Sequence, residues 1–313
     1  MIVESSSLKG RVVAKKANYF IVQPDINSFK NFYHDDLIPN KNFRFLCTSR
    51  RRMIHFGMVV NVGDFVVLDS IDWKTNRAVI VELEPRTSFL SRPPVANVTQ
   101  VVVVLSVKSP DFYVEQASRF LLTAERSKVN VGLILTKTDL ISNEELNYLI
   151  NRLSGWGYKP MAVSMKTGIG VKQIKDKFFN SNLSVLCGPS GVGKSSLINL
   201  MISDEIIATG NLSRKLQRGR HTTRNVQLYS LGEGIFVADT PGFNRPDLQC
   251  DSLDLQFLFP EFRCQSEVDN CRFRDCLHCD EPGCSFDKSW ERYPQYRKLL
   301  DENIKSRHLS LED

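Results

Sequence analysis

The sequence predicts an α/β P-loop domain between an N-terminal β barrel of the OB type and a small, mostly helical, cysteine-rich C-terminal domain. Three observations predict this order: short alternating strands before residue 89, a Gly-rich phosphate-binding motif at 188–195, and a cluster of cysteines after residue 270. A chain of 313 residues is long enough for two or three domains. We place the domains at 1–88, 89–245 and 246–313.

The first segment has the pattern of a small barrel. An alternating run from Gly10 to Val22 breaks at Ala17-Asn18, as a hairpin does, and further apolar runs follow at 42–47, 62–68 and 78–83. About five strands without a strong helix in such a short segment are typical of an OB-type barrel.

A run of three arginines interrupts this pattern. Arg50, Arg51 and Arg52 are predicted to lie in a loop between two strands, near Phe43, Phe45 and Phe56. Basic and aromatic side chains together on such a barrel are the combination that binds single-stranded nucleic acid, so we expect RNA contact here. The alternative is a solvated loop beside phenylalanines of the core.

An extended linker at 85–94 is predicted to lead into an α/β segment. The apolar runs 100–106, 131–136, 160–164, 184–187 and 234–239 alternate with helical patterns at 115–127, 143–153 and 171–179. This alternation predicts a parallel sheet that binds its ligand at the carboxyl ends of the strands.

The central motif has the Walker A form G-x-x-x-x-G-K-S between an apolar run and a helical pattern. Its glycines allow backbone N–H groups and a helix N-terminus to surround phosphates. Lys194 is predicted to reach the β- and γ-phosphates, and Ser195 to hold Mg²⁺. The predicted phosphate-binding residues are Gly188, Pro189, Ser190, Gly191, Val192, Gly193, Lys194, Ser195 and Ser196.

Two further segments complete the phosphate chemistry. Asp239 follows an apolar strand, as a Walker B carboxylate that holds Mg²⁺ through water does, and the N–H of Gly242 can sense a γ-phosphate. In the polar stretch 219–224, the hydroxyl of Thr223 or Thr222 could complete the Mg²⁺ shell.

Base recognition is predicted at Thr136-Lys137-Thr138-Asp139, which ends a buried strand. A carboxylate at Asp139 can accept two hydrogen bonds from guanine, and adenine offers no matching donor pair. The next strand ends in Ser164-Met165-Lys166, whose backbone N–H groups could bind the guanine oxygen.

These elements resemble the five signature elements of Ras-like GTPases, but the base-reading elements precede the P-loop. A circularly permuted G domain, with a barrel before it and a cysteine-rich tail after it, closely resembles the ribosome small-subunit-dependent GTPase A family over essentially the whole chain. The resemblance implies hydrolysis of GTP to GDP and phosphate in late maturation of the small (30S) ribosomal subunit. It also implies stimulation by that subunit and contact with its 16S-type rRNA.

Two residues depart from the Ras-like pattern. Thr136 replaces the usual asparagine of N-K-x-D, and Phe243 stands where Ras-like enzymes place a water-orienting glutamine. The resemblance implies that a histidine, here His221, takes over the positioning of water. With Lys194 and Thr223, it would form the catalytic site. The alternative for His221 is an ordinary loop histidine.

The segment 271–284 holds four cysteines and one histidine in a chain with no visible secretion signal. This composition predicts structural zinc rather than disulfides, with five candidates for four ligand positions; reactive thiols are the alternative. The family pattern C-x₄-C-x-H-x₅-C implies the ligands Cys271, Cys276, His278 and Cys284, and leaves Cys279 as a spare.

Charge and composition favour a cytoplasmic protein without a membrane segment, which we expect to be a monomer. The net charge of +6 divides into +4, +8 and −6 over the three predicted domains, which suggests a polyanionic partner for the first two. Two other classes stay open: a P-loop ATPase or kinase, and a nucleotide-binding RNA scaffold without turnover. Asp139, and the lack of a separate acceptor domain, argue against the first.

Overall fold

The computed structural model describes residues 7–26, 28, 43–179, 181–209, 226–232, 234–240, 246, 248, 250–266 and 271–311. The chain forms two compact units. The first comprises Met1–Val101, Lys172–Cys187 and Gly193–Asn244, and the second Val102–Val171, Gly188–Val192 and Arg245–Asp313.

The first unit contains the predicted five-stranded barrel. Its strands are β1 Leu8–Lys16, β2 Tyr19–Pro24, β3 Phe45–Ser49, β4 Phe65–Asp72 and β5 Arg77–Leu83. The barrel closes because β1 pairs with both β2 and β4, β2 pairs with β3, and β5 joins β3 to β4. Inward-facing Leu8, Val12, Phe45, Val66 and Ile80 fill its core.

Two predictions for this region are wrong. Arg51–His55 forms a short helix, α1, which contains Arg51 and Arg52. Of the three arginines, Arg50 alone lies in the loop, directly before this helix. The predicted extended linker contains a two-stranded hairpin, β6 Phe89–Ser91 and β7 Pro94–Ala96. Within the hairpin, the apolar side chains of Leu90 and Val95 are buried. The proline-rich composition of this segment gave no indication of that burial.

The first unit also holds three strands of the α/β segment, together with most of α4 Val171–Phe179 and helix α5 Lys194–Thr209. β11 Leu183–Cys187 and β13 Ile235–Asp239 are parallel. β12 Gln227–Gly232 is antiparallel to β13, which corrects the expectation of an all-parallel sheet. The connection from Gly232 to Ile235 is too short for the crossover that parallel strands need.

A buried arginine joins the barrel to these strands within the first unit. Arg11 on β1 donates to the carbonyls of Gly63, Asn97 and Asn182, at 3.3, 3.1 and 3.5 Å. Its guanidinium lies 4.7 Å from the ring centre of Phe65 and 5.2 Å from that of Phe236. Burial lowers the pKa of Arg11 to about 10, so the group stays charged at neutral pH.

The second unit contains most of β8 Gln100–Ser106, together with α2 Val114–Glu125, β9 Asn130–Thr136, α3 Asn143–Gly155 and β10 Pro160–Ala162. The strands β8, β9 and β10 lie side by side, and β9 and β10 are parallel. Every residue of β8 is buried, as its continuous apolar run predicts. Helix α3 begins at a capping box formed by Ser142 and Glu145.

The C-terminal part of this unit is helical around the cysteine cluster. Its helices are α6 Ser252–Leu255, α7 Pro260–Ser266 and α8 Tyr293–Leu311. A shared core includes Leu122 from α2 together with Leu255, Phe259, Phe262 and Tyr296, so this part packs on the α/β segment. Within the described residues, no helix is both long and apolar enough to cross a membrane.

Candidate nucleotide and metal sites

The phosphate loop, Gly188–Gly193, follows β11 and ends where α5 begins at Lys194. Gly188, Gly191 and Gly193 have φ angles of +139°, +80° and +99°. A Cβ at Gly188 would lie 2.1 Å from the carbonyl oxygen of Val104, so no other residue fits there. The predicted loop geometry is therefore present, with the Lys194 side chain largely buried and Ser195 exposed in the first turn of α5.

Asp239 ends β13 directly opposite Leu186, the penultimate residue of β11. The next residue, Thr240, is buried and its hydroxyl donates to the carbonyl of Leu186 at 2.8 Å. This pairing places the backbone of Asp239 at the carboxyl end of the strand that leads into the phosphate loop. The Asp239 side chain lies outside the described residues, and so do His221, Thr222, Thr223, Gly242 and Phe243.

The base-reading turn, residues 136–140, begins at the last residue of β9. Lys137 has a left-handed backbone with φ of +59°, and Thr138–Leu140 form a single 3₁₀ turn that leaves Asp139 exposed. The hydroxyl of Ser164 donates to the Asp139 carboxylate at 2.6 Å. This hydrogen bond lowers the pKa of Asp139, and the nearby charge of Lys166 acts in the same direction. The structure thus brings together the predicted Asp139 and Ser164.

The base-reading turn also contacts the phosphate loop within the second unit. The Lys137 ammonium donates to the carbonyl of Gly191 at 2.9 Å and to that of Ser109. Sequence reasoning missed Ser109, which lies between β8 and α2, because the contact uses its backbone oxygen and leaves no side-chain signal. The hydroxyl of Ser106 shapes the same segment by donating to the carbonyl of Pro110 at 2.6 Å.

The C-terminal cluster contains one candidate metal centre in the described part of the chain. The ligand atoms of Cys271, Cys276, His278 and Cys284 all lie within 4.8 Å of one another. His278 Nδ1 lies 3.4 Å from the sulfur of Cys271, 3.7 Å from that of Cys276 and 3.6 Å from that of Cys284. Tetrahedral zinc with ordinary bond lengths separates a ring nitrogen from a thiolate by about 3.6 Å, so the cluster fits this ion.

The fifth candidate stays apart from these four. The thiol of Cys279 is directed to the carbonyl of Leu277, at 3.5 Å. His278 has a φ of +55°, a left-handed conformation that reverses the chain between the second ligand and Cys279. Burial lowers the pKa of His278, which favours the neutral imidazole that binds metal. The four residues that the family pattern implied are the four that the structure gathers.

Side chains outside the cluster hold the metal loop, residues 271–284. The carboxylate of Glu281 accepts from the N–H groups of Leu277 and Cys279, at 3.0 and 2.8 Å. From α8, the hydroxyls of Tyr293 and Tyr296 donate to the carbonyls of His278 and Leu277, at 2.8 and 2.6 Å. The ligands therefore lie on a loop that hydrogen bonds preorganise.

A protein-family model described as RsgA GTPase matches residues 83–249, more than half of the chain. The chain belongs to the RsgA GTPase family.

Relatives with this family name match almost the full chain. One from Prochlorococcus marinus (strain MIT 9303), named small ribosomal subunit biogenesis GTPase RsgA, is 52% identical over 305 residues, which are 96% of this chain and 94% of the relative. A relative of the same name from Synechococcus sp. (strain CC9311) is 52% identical over 302 residues, 96% of each chain.

Solved structures support the fold. YjeQ from Thermotoga maritima matches with a TM-score of 0.72 and 27% identity, over 95% of this chain and 99% of its own. YloQ, described as a circularly permuted GTPase, matches with a TM-score of 0.74 and 25% identity, over 98% of both chains. The predicted fold class is confirmed: a circularly permuted α/β G domain of the RsgA GTPase family, preceded by a barrel and followed by a small helical domain with a Cys₃His cluster.

The arginine segment of this family member presents a different surface from the one predicted. Arg50, Arg51 and Arg52 are exposed, and the guanidinium of Arg52 lies 5.5 Å from the ring centre of exposed Phe56. Phe45 is fully buried in the barrel core and cannot stack on a base, and Phe43 is partly buried against the same core. Of the three phenylalanines, Phe56 is the one that is exposed beside the arginines.

Proposed function

We propose that this chain is a GTPase that hydrolyses GTP to GDP and phosphate during late maturation of the small ribosomal subunit, which stimulates it. The observation that carries the proposal is the contact of Lys137 with Gly191, which joins the base-reading turn to the phosphate loop. Family membership and the names of the relatives support the same activity.

Guanine would be selected by the Asp139 carboxylate, which Ser164 keeps ionised and oriented. Two hydrogen bonds from guanine to this carboxylate would discriminate against adenine. Thr138 and Lys166 flank this group, and the stem of Lys137 would lie along the base. Thr136 is buried and its hydroxyl donates to the carbonyl of Val192 at 2.6 Å, so it would act on the phosphate loop and not on the base.

The phosphates would be bound by the backbone of Gly188–Gly193 and by Lys194, whose charge offsets the negative charge that develops during transfer. The exposed hydroxyl of Ser195 is a hard oxygen ligand of the kind that Mg²⁺ takes. Mg²⁺ bound with GTP would neutralise phosphate charge, held by Ser195 and Thr223 and, through water, by Asp239. Ser196 and Gly242 would donate to phosphate oxygens, and His221 would position the attacking water.

For the C-terminal cluster we propose one structural Zn²⁺ held by Cys271, Cys276, His278 and Cys284. The 3.4–3.7 Å separations between Nδ1 and the sulfurs support a tetrahedral ion with thiolate ligands. The ion would fix the loop 271–284 against α8 and take no part in hydrolysis.

The partners that we propose are the small (30S) subunit and its 16S-type rRNA, which a monomer would bind in the cytoplasm. Arg50, Arg51 and Arg52 would contact rRNA phosphates, with Phe56 beside them. We propose the domain boundaries 1–88, 89–245 and 246–313 for the RNA-binding, catalytic and metal-binding parts.

Single-turnover phosphate release, with and without isolated small subunits, tests the function. Wild-type protein should hydrolyse GTP faster with subunits, and Lys194→Ala should show no detectable turnover. His221→Ala should keep GTP affinity but lose about 10²- to 10⁴-fold in stimulated hydrolysis. Binding without turnover at any subunit concentration would favour the scaffold alternative, and displacement of bound GTP by equimolar ATP would favour an ATPase or kinase.

A further inference from the structure

We propose that a small pocket beside the phosphate loop binds an arginine side chain of a protein partner. The pocket lies between the phosphate loop and the segment that joins β8 to α2, and its lining residues all belong to the second unit. The inference adds a second binding site to the proposed function and does not depend on which nucleotide the loop binds.

The wall of this pocket is mostly apolar or aromatic. The residues that form this part of the wall are Leu105, Pro110, Phe112, Tyr113, Pro189 and Val192. Pro110 packs on the phosphate loop, since its Cδ lies 3.7 Å from the position that a Cβ at Gly191 would take. The pocket is therefore a feature of the loop's own surroundings and not an isolated surface depression.

The size of the pocket restricts its occupant to a single side chain. It encloses about 200 Å³ of empty space, its open mouth included. Sites for drug-sized ligands and cofactors enclose about 300–1,000 Å³. Within the described residues, the lining includes neither Lys194 and Ser195 nor any residue of the base-reading turn, so a nucleotide is not the expected occupant.

The charge of the lining selects a cation. Asp111 is the one charged residue among the described lining residues, and its exposed carboxylate has no hydrogen bond or ion pair with any described residue. Glu115, four residues further on, is already paired with Lys298 at 2.7 Å. The Lys137 ammonium lies outside the lining and donates to two backbone carbonyls, so the cation must come from another molecule.

Among cationic groups, a guanidinium fits this wall best. Its planar face stacks on rings and prolines, and its N–H groups can bind a carboxylate in pairs. Phe112, Tyr113 and Asp111 offer both kinds of contact in one pocket. The phosphates of an RNA partner would be repelled by the carboxylate, which favours a protein partner over RNA.

Tyr113 gives an independent indication that this surface has a partner. It occupies the N-cap of α2, where a serine, threonine or aspartate normally accepts from first-turn N–H groups. The Tyr113 side chain makes no such hydrogen bond, and 61% of the residue's surface is exposed. The sequence thus places an exposed ring where a helix cap would be more stable, and exposed aromatic anchors are typical of protein interfaces.

A partner bound in the pocket would contact the phosphate loop without competing for its phosphate-binding groups. Phosphates would bind the backbone N–H groups of the loop, whereas the loop contributes the residues Pro189 and Val192 to the pocket lining. Both ligands can therefore be bound at once.

The first test compares two capped tripeptides, Gly-Arg-Gly and its citrulline counterpart, which keeps the shape of arginine and removes the charge. Methyl NMR signals of Leu105 and Val192 on the full chain report binding. The arginine peptide should cause saturable shifts with a dissociation constant on the order of 1 mM, and the citrulline peptide should bind at least about threefold more weakly. Equal affinities, or no saturable shift at Val192, would overturn the inference.

The second test changes the pocket. Tyr113→Ala and Asp111→Asn should each weaken the arginine peptide by about 2- to 5-fold. The matched controls are Tyr148→Ala and Glu144→Gln, which are exposed on α3 outside the lining and should bind like wild type. An equal loss in the controls would overturn the assignment. The comparison of arginine with citrulline needs no variant, so it decides the question even if a variant does not fold.

A third measurement separates a protein partner from RNA. Single-stranded oligouridine that shifts the same methyl signals at lower concentration than the arginine peptide would overturn the inference in favour of RNA. Phosphate release from GTP is measured separately on the same protein. Absence of turnover would refute the proposed function and leave the peptide result standing, whereas turnover without peptide binding would refute only the pocket.

Discussion

Arg292 and Glu261 form a buried ion pair, in which Arg292 Nε lies 2.6 Å from Glu261 Oε1 and Nη2 contacts Oε2. The Arg292 side chain has no exposed surface, and its guanidinium lies 4.7 Å from the ring centre of Trp156. Trp156 caps the C-terminus of α3. The pair therefore joins the chain just before α8 to helix α7, and Arg292 also contacts the C-terminus of α3, inside the second unit.

Removing one partner of this pair should destabilise the second unit strongly. Glu261→Ala leaves a buried, uncompensated guanidinium, so the free energy of unfolding should fall by about 3–5 kcal/mol. Urea unfolding followed by tryptophan fluorescence measures the loss. Glu302→Ala is the control, since the Arg119–Glu302 pair is solvent-accessible and should contribute about 0–1 kcal/mol. Equal effects of the two substitutions would contradict the assignment.

The part of the fold that local pattern determines was predictable. The hairpin break at Ala17-Asn18 lies between β1 and β2, and Ala17 has the left-handed backbone (φ +48°) that a tight turn uses. The buried strand β8 and the P-loop followed from a continuous apolar run and fixed glycine positions, which depend on few distant contacts.

The incorrect or incomplete predictions concern segments whose structure depends on contacts with residues distant in the sequence or on the local backbone conformation. Arg51–His55 is a single helical turn, below the length at which a periodic pattern is detectable, and buried Met53 anchors it to the barrel core. The β6–β7 hairpin is supported by hydrogen bonds that Thr87 and Ser88 donate to Asn97 and Val98, none of which has a local signature. At the metal loop, spacing left five candidates because only the backbone turn at His278 separates Cys279 from the cluster.

Asp139→Asn should change the base preference of the protein. The amide can donate to the additional oxygen of xanthine, which a carboxylate repels, so GTP should bind more weakly and xanthosine triphosphate more tightly. Competition of the two nucleotides against fluorescent GDP measures the change, with Asp111→Asn as an exposed control. Full guanine preference in the variant would place base reading elsewhere.

Ser164→Ala should move the acid limit of guanine binding. The Ser164 hydroxyl lowers the pKa of Asp139, so the carboxylate stays ionised, and able to accept from guanine, to lower pH than an ordinary aspartate. Without the hydroxyl the pKa rises towards its usual value, and GDP affinity should begin to fall at a higher pH. Titration of GDP affinity downwards from neutral pH measures this shift; superimposable profiles for variant and wild type would contradict it.

Removing the metal should unfold the loop 271–284 and spare nucleotide binding. A bound ion supplies much of the folding energy of so small a segment, so Cys276→Ser or a strong chelator should release zinc. Cys279→Ser is the matched control, because its thiol contacts Leu277 and lies outside the cluster. Glu281→Ala should weaken zinc affinity by about 10- to 100-fold, since it removes the acceptor of two loop N–H groups. Less than about half a zinc per chain in freshly purified protein would count against the site.

Charge reversal at the arginine segment should weaken binding to small subunits and flatten its salt dependence. Arg50, Arg51 and Arg52 are exposed together beside Phe56, where phosphates can reach all three. Removing one arginine–phosphate ion pair with single-stranded RNA should reduce the log–log salt slope by about 0.7. The control is the same triple change to Glu at Lys15, Lys16 and Lys74, which are exposed on the same barrel. The two triple variants change the net charge of the protein by the same amount. If both triple variants weaken binding alike, the effect is the general charge of the barrel; a weakening confined to the arginine variant, with a reduced slope, assigns rRNA binding to this segment.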